Sequence, residues 1–565
     1  MTEKRPTTAV DRIAENWVDI LCELDPDFRI WLGRDGDVTE FADYSPNGHE
    51  AYDTAVRSTL NALRSADAVD DVDRVTKMDL TGDLELALEL SESKWHLRDL
   101  NNIASPAQGI RDVFDLMPTD GVEAWETIAA KLGNVSSALS GYRQTLAEGI
   151  RQGLIPARRQ IVEVIAQAER NGGPEGFFVD FAGNAAPNDL PDSLRADLRT
   201  AAESARLAYL EFATYLRDDL AGASHEHDGV GRDVYGLHSR HFLGATVDLD
   251  ETYEWGIDEL ARMRSEQEAI AKRISGGSVA DAVAALDNDP ARKIHGTEAL
   301  QAWMQKLSDT AVRELGKEHF DIAGPMRKLE CHIAPTKEGG IYYTGPSDDF
   351  SRAGRMWWSV PEGVTEFDTW RETTTVYHEG VPGHHLQISQ AVYNSAELNT
   401  WRRQLAGSSG HADGWALYAE RLMAELGYLD DDGDRFGMLD GQRMRAARVV
   451  LDIGVHLGKK RPDGNGTWDA DFAFEFMRDN VLMEDEFVRF EVNRYLGWPG
   501  QAPSYKIGQR IWEDLRAESE RREGSSFSLS AWHKRALDIG GTGLDTLRTA
   551  VLGDWKRLRT RVSGR

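Results

Sequence analysis

At 565 residues the chain exceeds the usual size of one compact domain, so two helical lobes sharing a cleft are expected. Its formal net charge of −30 argues against nucleic acid and anionic membrane as partners, because both repel an acidic surface. An apolar fraction of 41% suffices for a real core, yet no 18-residue apolar run is present to span a bilayer.

The N-terminal residues lead into a charged, amphipathic run at 11–17 with no signal-peptide core, which predicts a cytoplasmic protein. Cys22 and Cys331 are too few for a disulfide framework or a thiolate metal site and read as buried thiols. Residues 1 to about 165 place apolar side chains at three- and four-residue steps, as in the runs starting at Glu50 and Gly121, and predict helices whose stripes are core. Asn171-Gly172-Gly173-Pro174 breaks this pattern before a second helical stretch at 194–220. Between 222 and 247 the pattern loosens into Gly, His and Asp and reads as a polar linker. The pairs His225/His227 and His238/His241 lack a carboxylate on a defined element, so no second metal site is expected there. Helices resume at 249–274 and break at Gly276-Gly277.

Residues 328–360 change character. Short β-like runs at 331–334 and 341–344 and the Met356-Trp357-Trp358 segment predict a small sheet, with Arg352 placed to bind a substrate carboxylate or to form a surface ion pair. Then comes the densest group of ligand-type residues in the chain, His378-Glu379-Gly380-Val381-Pro382-Gly383-His384-His385-Leu386-Gln387. A helical zinc hydrolase needs two neutral imidazoles and a carboxylate on the ion, an open position for water, and a second carboxylate as base. The usual i, i+4 histidine pair is missing here, since Pro382 stands four residues after His378. On a straight helix His385 would lie roughly 10 Å further along the axis. Pro382 cannot donate to the carbonyl of His378 and Gly383 tolerates unusual dihedrals, so the helix should kink or bulge and carry His384 toward His378. His378 and His384 are therefore the expected ligands, with His385 as the alternative, and Glu379 is the expected general base.

A second helix should start at Ser408 or Ser409 and end before Gly427. It carries Asp413 and Glu420, seven residues apart on one face, of which one should ligate and the other support. The acidic run 430–434 lacks the glycine of a calcium loop and reads as a surface turn. Further on, Arg448, Asp452 and His456 form nearly one stripe. His456 either faces the cleft to bind the transition state or is a structural histidine paired with Asp452. Residues 532–558 read as closing helices.

The block at 378–387, the block Asp413-Gly414-Trp415-Ala416-Leu417-Tyr418-Ala419-Glu420 and the block 494–508, with Arg494, Gln501, Tyr505 and Lys506, resemble three signatures of the bacterial DUF885 family. That family is regarded as related to gluzincin peptidases, and the likeness covers most of the chain, most strongly from about 330 to 545. The resemblance implies a mostly α-helical, two-lobed metallopeptidase-like fold with a small sheet beside the active-site helix. Residues 1–325 would form a helical N-terminal lobe and 326–565 the catalytic region. It implies an edge strand that holds an extended substrate by backbone hydrogen bonds. It also makes Asp413 the third ligand, in a position where the family usually has Glu, with Glu420 as the alternative. Tyr505 becomes the candidate oxyanion donor, and Arg494, Arg448 and Lys506 join Arg352 as candidates for substrate binding. The expected activity is zinc-dependent hydrolysis of short peptides. A zinc hydrolase of a non-peptide amide and a helical binding protein without turnover are the rival readings.

Overall fold

A computed structural model describes residues 4–187, 189–334 and 340–555. Helices dominate, and two small sheets interrupt them. Helix Thr297–Glu318 covers one edge of a three-stranded sheet. Its Gln301 and Gln305 donate to the carbonyls of Cys331 and Leu329 at 2.8 Å each, and the Cys331 amide donates to Gln305 at 2.9 Å. The sheet pairs Leu329–Ile333 in parallel with Gly354–Trp358, which pairs antiparallel with Ile341–Thr344. Because glutamine side chains satisfy the first edge, the backbone edge left open is that of Ile341–Thr344, whose last residue lines the main cleft. A two-stranded ribbon, Lys293–His295 with Glu366–Asp368, leads into the first ligand helix.

The largest buried cluster runs from Tyr235 to Val551 and contains Trp415, Trp512 and Trp532; a second spans Leu100 to Leu220; a third joins residues between Ala14 and Leu84 to Trp401. Helices Ser409–Glu425 and Ser504–Glu523 approach very closely within the first cluster. A Cβ on Gly508 would sit 2.2 Å from the Gly410 carbonyl oxygen, and one on Gly414 would sit 2.7 Å from the Gly508 Cα. Only glycines permit this contact, and it sets Asp413 beside the start of the helix that carries Tyr505. Cys22 and Cys331 are buried free thiols.

The stretch expected as a polar linker contains helix Arg232–Leu243, with Tyr235, His238 and Leu243 buried. Its apolar stripe is thin, and interleaved Gly and His dilute the periodicity, so tertiary packing rather than local pattern makes this segment helical. No described helix is long and apolar enough to cross a membrane.

Candidate metal centre

Helix Thr369–Glu379 ends just after delivering His378 and Glu379, and a new helix, His384–Tyr393, starts five residues later. The sequence suggested one kinked or bulged helix; the break is complete, because Pro382 has no amide to continue the ladder. The turn between is built from Gly380, Val381, a cis Pro382 and Gly383. The Gly383 amide donates to the Tyr377 carbonyl at 3.1 Å, the His385 amide to the Gly380 carbonyl at 3.1 Å, and the Trp415 indole to the Pro382 carbonyl at 2.9 Å. This offset brings the His384 ring to 4.9 Å from that of His378, nearly perpendicular to it.

Helix Ser409–Glu425 is capped by Ser408, whose hydroxyl accepts the His411 amide at 3.1 Å, and it presents Asp413 to both rings. Asp413 Oδ1 lies 3.6 Å from His384 Nε2 and 3.9 Å from His378 Nε2, and the three atoms all lie within 4.8 Å of one another. No other such group of His, Cys, Asp or Glu occurs among the described residues. Ligands about 2.0–2.1 Å from a tetrahedral ion are roughly 3.4 Å apart, so small side-chain movements suffice to close the set. Two imidazoles and a carboxylate form a donor set that could hold a divalent cation such as zinc.

Glu420 sits behind this cluster. Its Oε1 lies 2.7 Å from His378 Nδ1, and its Oε2 accepts from Gln442 Nε2 at 3.0 Å. Burial pushes the carboxyl up, but the bond to His378 and the charge of Arg445 outweigh that and hold it below the ordinary range. His385 points elsewhere: Nε2 contacts the Met326 carbonyl at 2.8 Å and Nδ1 the Tyr343 hydroxyl at 2.9 Å. Burial lowers its pKa to about 4, so it is a neutral structural histidine. Glu379 is 7% exposed. Burial raises its carboxyl, opposed by His384 and His378 and reinforced by Asp413, so it feels all three candidate ligands. For His384, burial disfavours charge, yet Asp413 and Glu379 prevail and raise its pKa.

Tyr505 is half-buried in the first turn of Ser504–Glu523, with the Arg448 guanidinium 5.4 Å from its ring centre. Burial and the charge of Asp413 raise its phenol, which keeps it a donor near the cluster. The remaining predicted residues are placed differently. Arg448 is 5% exposed and donates to Glu491 at 2.7 Å and to the Tyr495 hydroxyl at 2.6 Å, so its guanidinium is engaged within the protein. Arg494 is held by Glu491 at 3.3 Å and Gln501 at 2.5 Å. Lys506 is 1% exposed and points into the core, not the cleft. His456 contacts the Tyr495 carbonyl through Nε2 at 2.9 Å, stacks on Tyr235, and has a pKa lowered by burial to about 4. It follows Gln442 by 14 residues on helix Asp432–Leu457, roughly 21 Å along the axis, so it does not join the cluster. Asp452 bonds Tyr235 and the Gly500 amide rather than His456.

Arg352 is exposed on the wall of a cleft of about 1430 Å³. Trp31, Leu116, Thr344, Trp357, Arg403 and Asp413 line the cleft, so of the three clustered residues Asp413 borders it. Sequence reasoning missed Gln442, which holds Glu420, and Arg445, whose charge acts on both Glu379 and Glu420. A buried glutamine in an otherwise ordinary helix has no spacing that marks it; Arg445 was hidden among four neighbouring arginines, Arg435, Arg443, Arg448 and Arg461.

A family described as bacterial protein of unknown function (DUF885) matches residues 26–551. A solved structure of a candidate lipoprotein from Colwellia psychrerythraea superposes with a TM-score of 0.84 at 21% identity, covering 97% of this chain and 98% of that one. Another, a candidate lipoprotein of unknown function from Shewanella oneidensis, gives 0.74 at 16% identity over 96% and 99%. At these identities the likeness is one of fold. No curated protein matches the sequence.

Proposed function

The chain belongs to the DUF885 family, and from that premise we propose that it is a zinc-dependent hydrolase, a gluzincin-like peptidase that cleaves short peptides in the large cleft. The observation that carries the reading is the convergence of His378, His384 and Asp413 within 4.8 Å of one another, with buried Glu379 against them. A bound zinc ion would supply Lewis acidity toward water and the scissile carbonyl. Glu379 takes the proton of the attacking water and returns it to the leaving amine, the role of a carboxylate whose environment favours the protonated form. Tyr505 donates to the oxygen that gains charge. Glu420 orients His378, and Arg352 meets a substrate carboxylate at the cleft wall.

Metal analysis of the purified chain tests this first: one zinc per chain, lost in His378→Ala, is expected. A peptide-library digest then identifies the substrate, and cleavage must vanish in Glu379→Gln while zinc stays. Absence of stoichiometric metal would sink the proposal. We place the activity in the cytoplasm; recovery of the native protein with membranes or periplasm would instead align its location with the candidate lipoproteins it resembles in fold.

A further inference from the structure

Behind the cluster runs a chain of buried polar groups of which the proposed chemistry uses only Glu420. Lys506, 1% exposed, has three acceptors around its Nζ: Gln442 Oε1 at 2.8 Å, Gln509 Oε1 at 2.9 Å and Glu259 Oε1 at 3.0 Å. An ammonium carries three N–H donors and no lone pair, so all three are used and each partner must present an oxygen. That requirement removes the usual ambiguity of a glutamine amide. Gln442, 0% exposed, has to turn its carbonyl to Lys506 and its NH2 to the other side, where Glu420 Oε2 accepts at 3.0 Å and the Leu417 carbonyl lies at 3.4 Å. As a carboxylate, with no proton to give, Glu420 accepts at Oε1 from His378 Nδ1 at 2.7 Å, so the ring donates there. The hydrogen therefore sits on Nδ1, which leaves Nε2, the atom that faces Asp413 and His384, as the one that could bind a cation.

Resting on the metal reading above, we propose that Lys506 is a positioning residue that sets the tautomer and ring orientation of His378 through Gln442 and Glu420. Glu259, on helix Leu249–Ser275, anchors Lys506 and is itself held by Arg262 at 2.8 Å. A residue far upstream of the ligand helices thereby governs the electronic state of a ligand. Were Gln442 reversed, its NH2 would face a cation and its carbonyl a carboxylate, and both contacts would be repulsive.

The test measures zinc affinity of the full-length protein by chelator competition at fixed pH, together with the visible absorption of the cobalt-loaded form. Thermal unfolding of the metal-free protein is followed in parallel. Lys506→Met and Gln442→Leu are expected to weaken zinc binding about 10- to 100-fold and to alter the cobalt spectrum. Gln509→Leu removes a neighbour of Lys506 that lies off the path to His378, and is expected to bind zinc like the wild type. If Lys506→Met does not fold, because Glu259, Gln442 and Gln509 lose the ammonium they share, Gln442→Leu carries the same test without removing a buried charge. Wild-type affinity and spectrum in folded Gln442→Leu would overturn the inference alone, as would an equal loss in Gln509→Leu. A wild-type chain that takes up no zinc overturns the metal reading and this inference with it.

Discussion

His378, His384 and Asp413 differ from the many other acidic and imidazole groups of this chain in sharing one point in space, with the outer nitrogen of His378 tied to Glu420. Their roles separate on substitution. Asp413→Ala should abolish stoichiometric zinc, whereas Glu420→Gln should weaken binding only about 10- to 100-fold, because it supports a ligand instead of being one; metal titration distinguishes them. Glu379→Gln should keep the metal and lower kcat about 10²- to 10⁴-fold on any peptide substrate found. Tyr505→Phe should lower kcat by about 10²- to 10³-fold with KM nearly unchanged, since its hydroxyl serves the transition state.

The broken helix and the long helix behind it carry predictions of their own. A Cβ on Gly383 would lie 1.9 Å from the His378 carbonyl oxygen and 2.6 Å from that of Tyr377, and backbone cannot yield as a side-chain tip can. Gly383→Ala should therefore cost about 3 kcal/mol or more and lose the metal, read by denaturant unfolding and zinc content. Asp452 is 0% exposed in helix Asp432–Leu457, with Oδ1 accepting from the Tyr235 hydroxyl at 2.7 Å and from the Gly500 amide at 3.0 Å. Its Oδ2 meets no donor among the described residues, and burial lifts its pKa from 3.8 to about 7. The folded state thus keeps a proton that the unfolded chain has already released, so stability falls as pH rises between about 4 and about 7. Asp452→Asn should flatten that slope in thermal melts between about pH 4 and about pH 7; an unchanged slope would show that the carboxyl is ionised in the folded chain.

At the scale of the molecule, distant parts of the sequence are clasped by buried polar groups. Arg5 bonds Asp11, Asp70 and Asp73, and Arg402, 1% exposed, donates to the Gly541 carbonyl at 2.9 Å and to Thr76 at 3.3 Å, so the first helices are fastened to the C-terminal ones. These clasps work against the self-repulsion of a chain with net charge −30. Raising salt from about 0.02 M to about 0.5 M shortens the screening length severalfold and should raise Tm. A Tm that falls with salt would show the opposite balance.

Much of the local structure was legible before any coordinates. Periodicity marked most helices, Ser408 marked a cap, the dipeptide Pro382-Gly383 marked a break, and ligand-type residues stood out by type and spacing. These features depend on neighbours within a turn or two, where the chain's own geometry decides which side chains share a face. What only the tertiary structure decided was direction and partnership. It turned His384 inward and His385 toward Met326, put Asp413 at the cluster and Glu420 behind it, and sent Lys506 and Arg448 into the core although sequence alone allowed them a place in the cleft. It also recruited Gln442 and Glu259 from elements with no local sign of function. Such contacts span dozens to hundreds of residues, and the face a helix buries there depends on every element packed against it, which no short spacing in the sequence encodes.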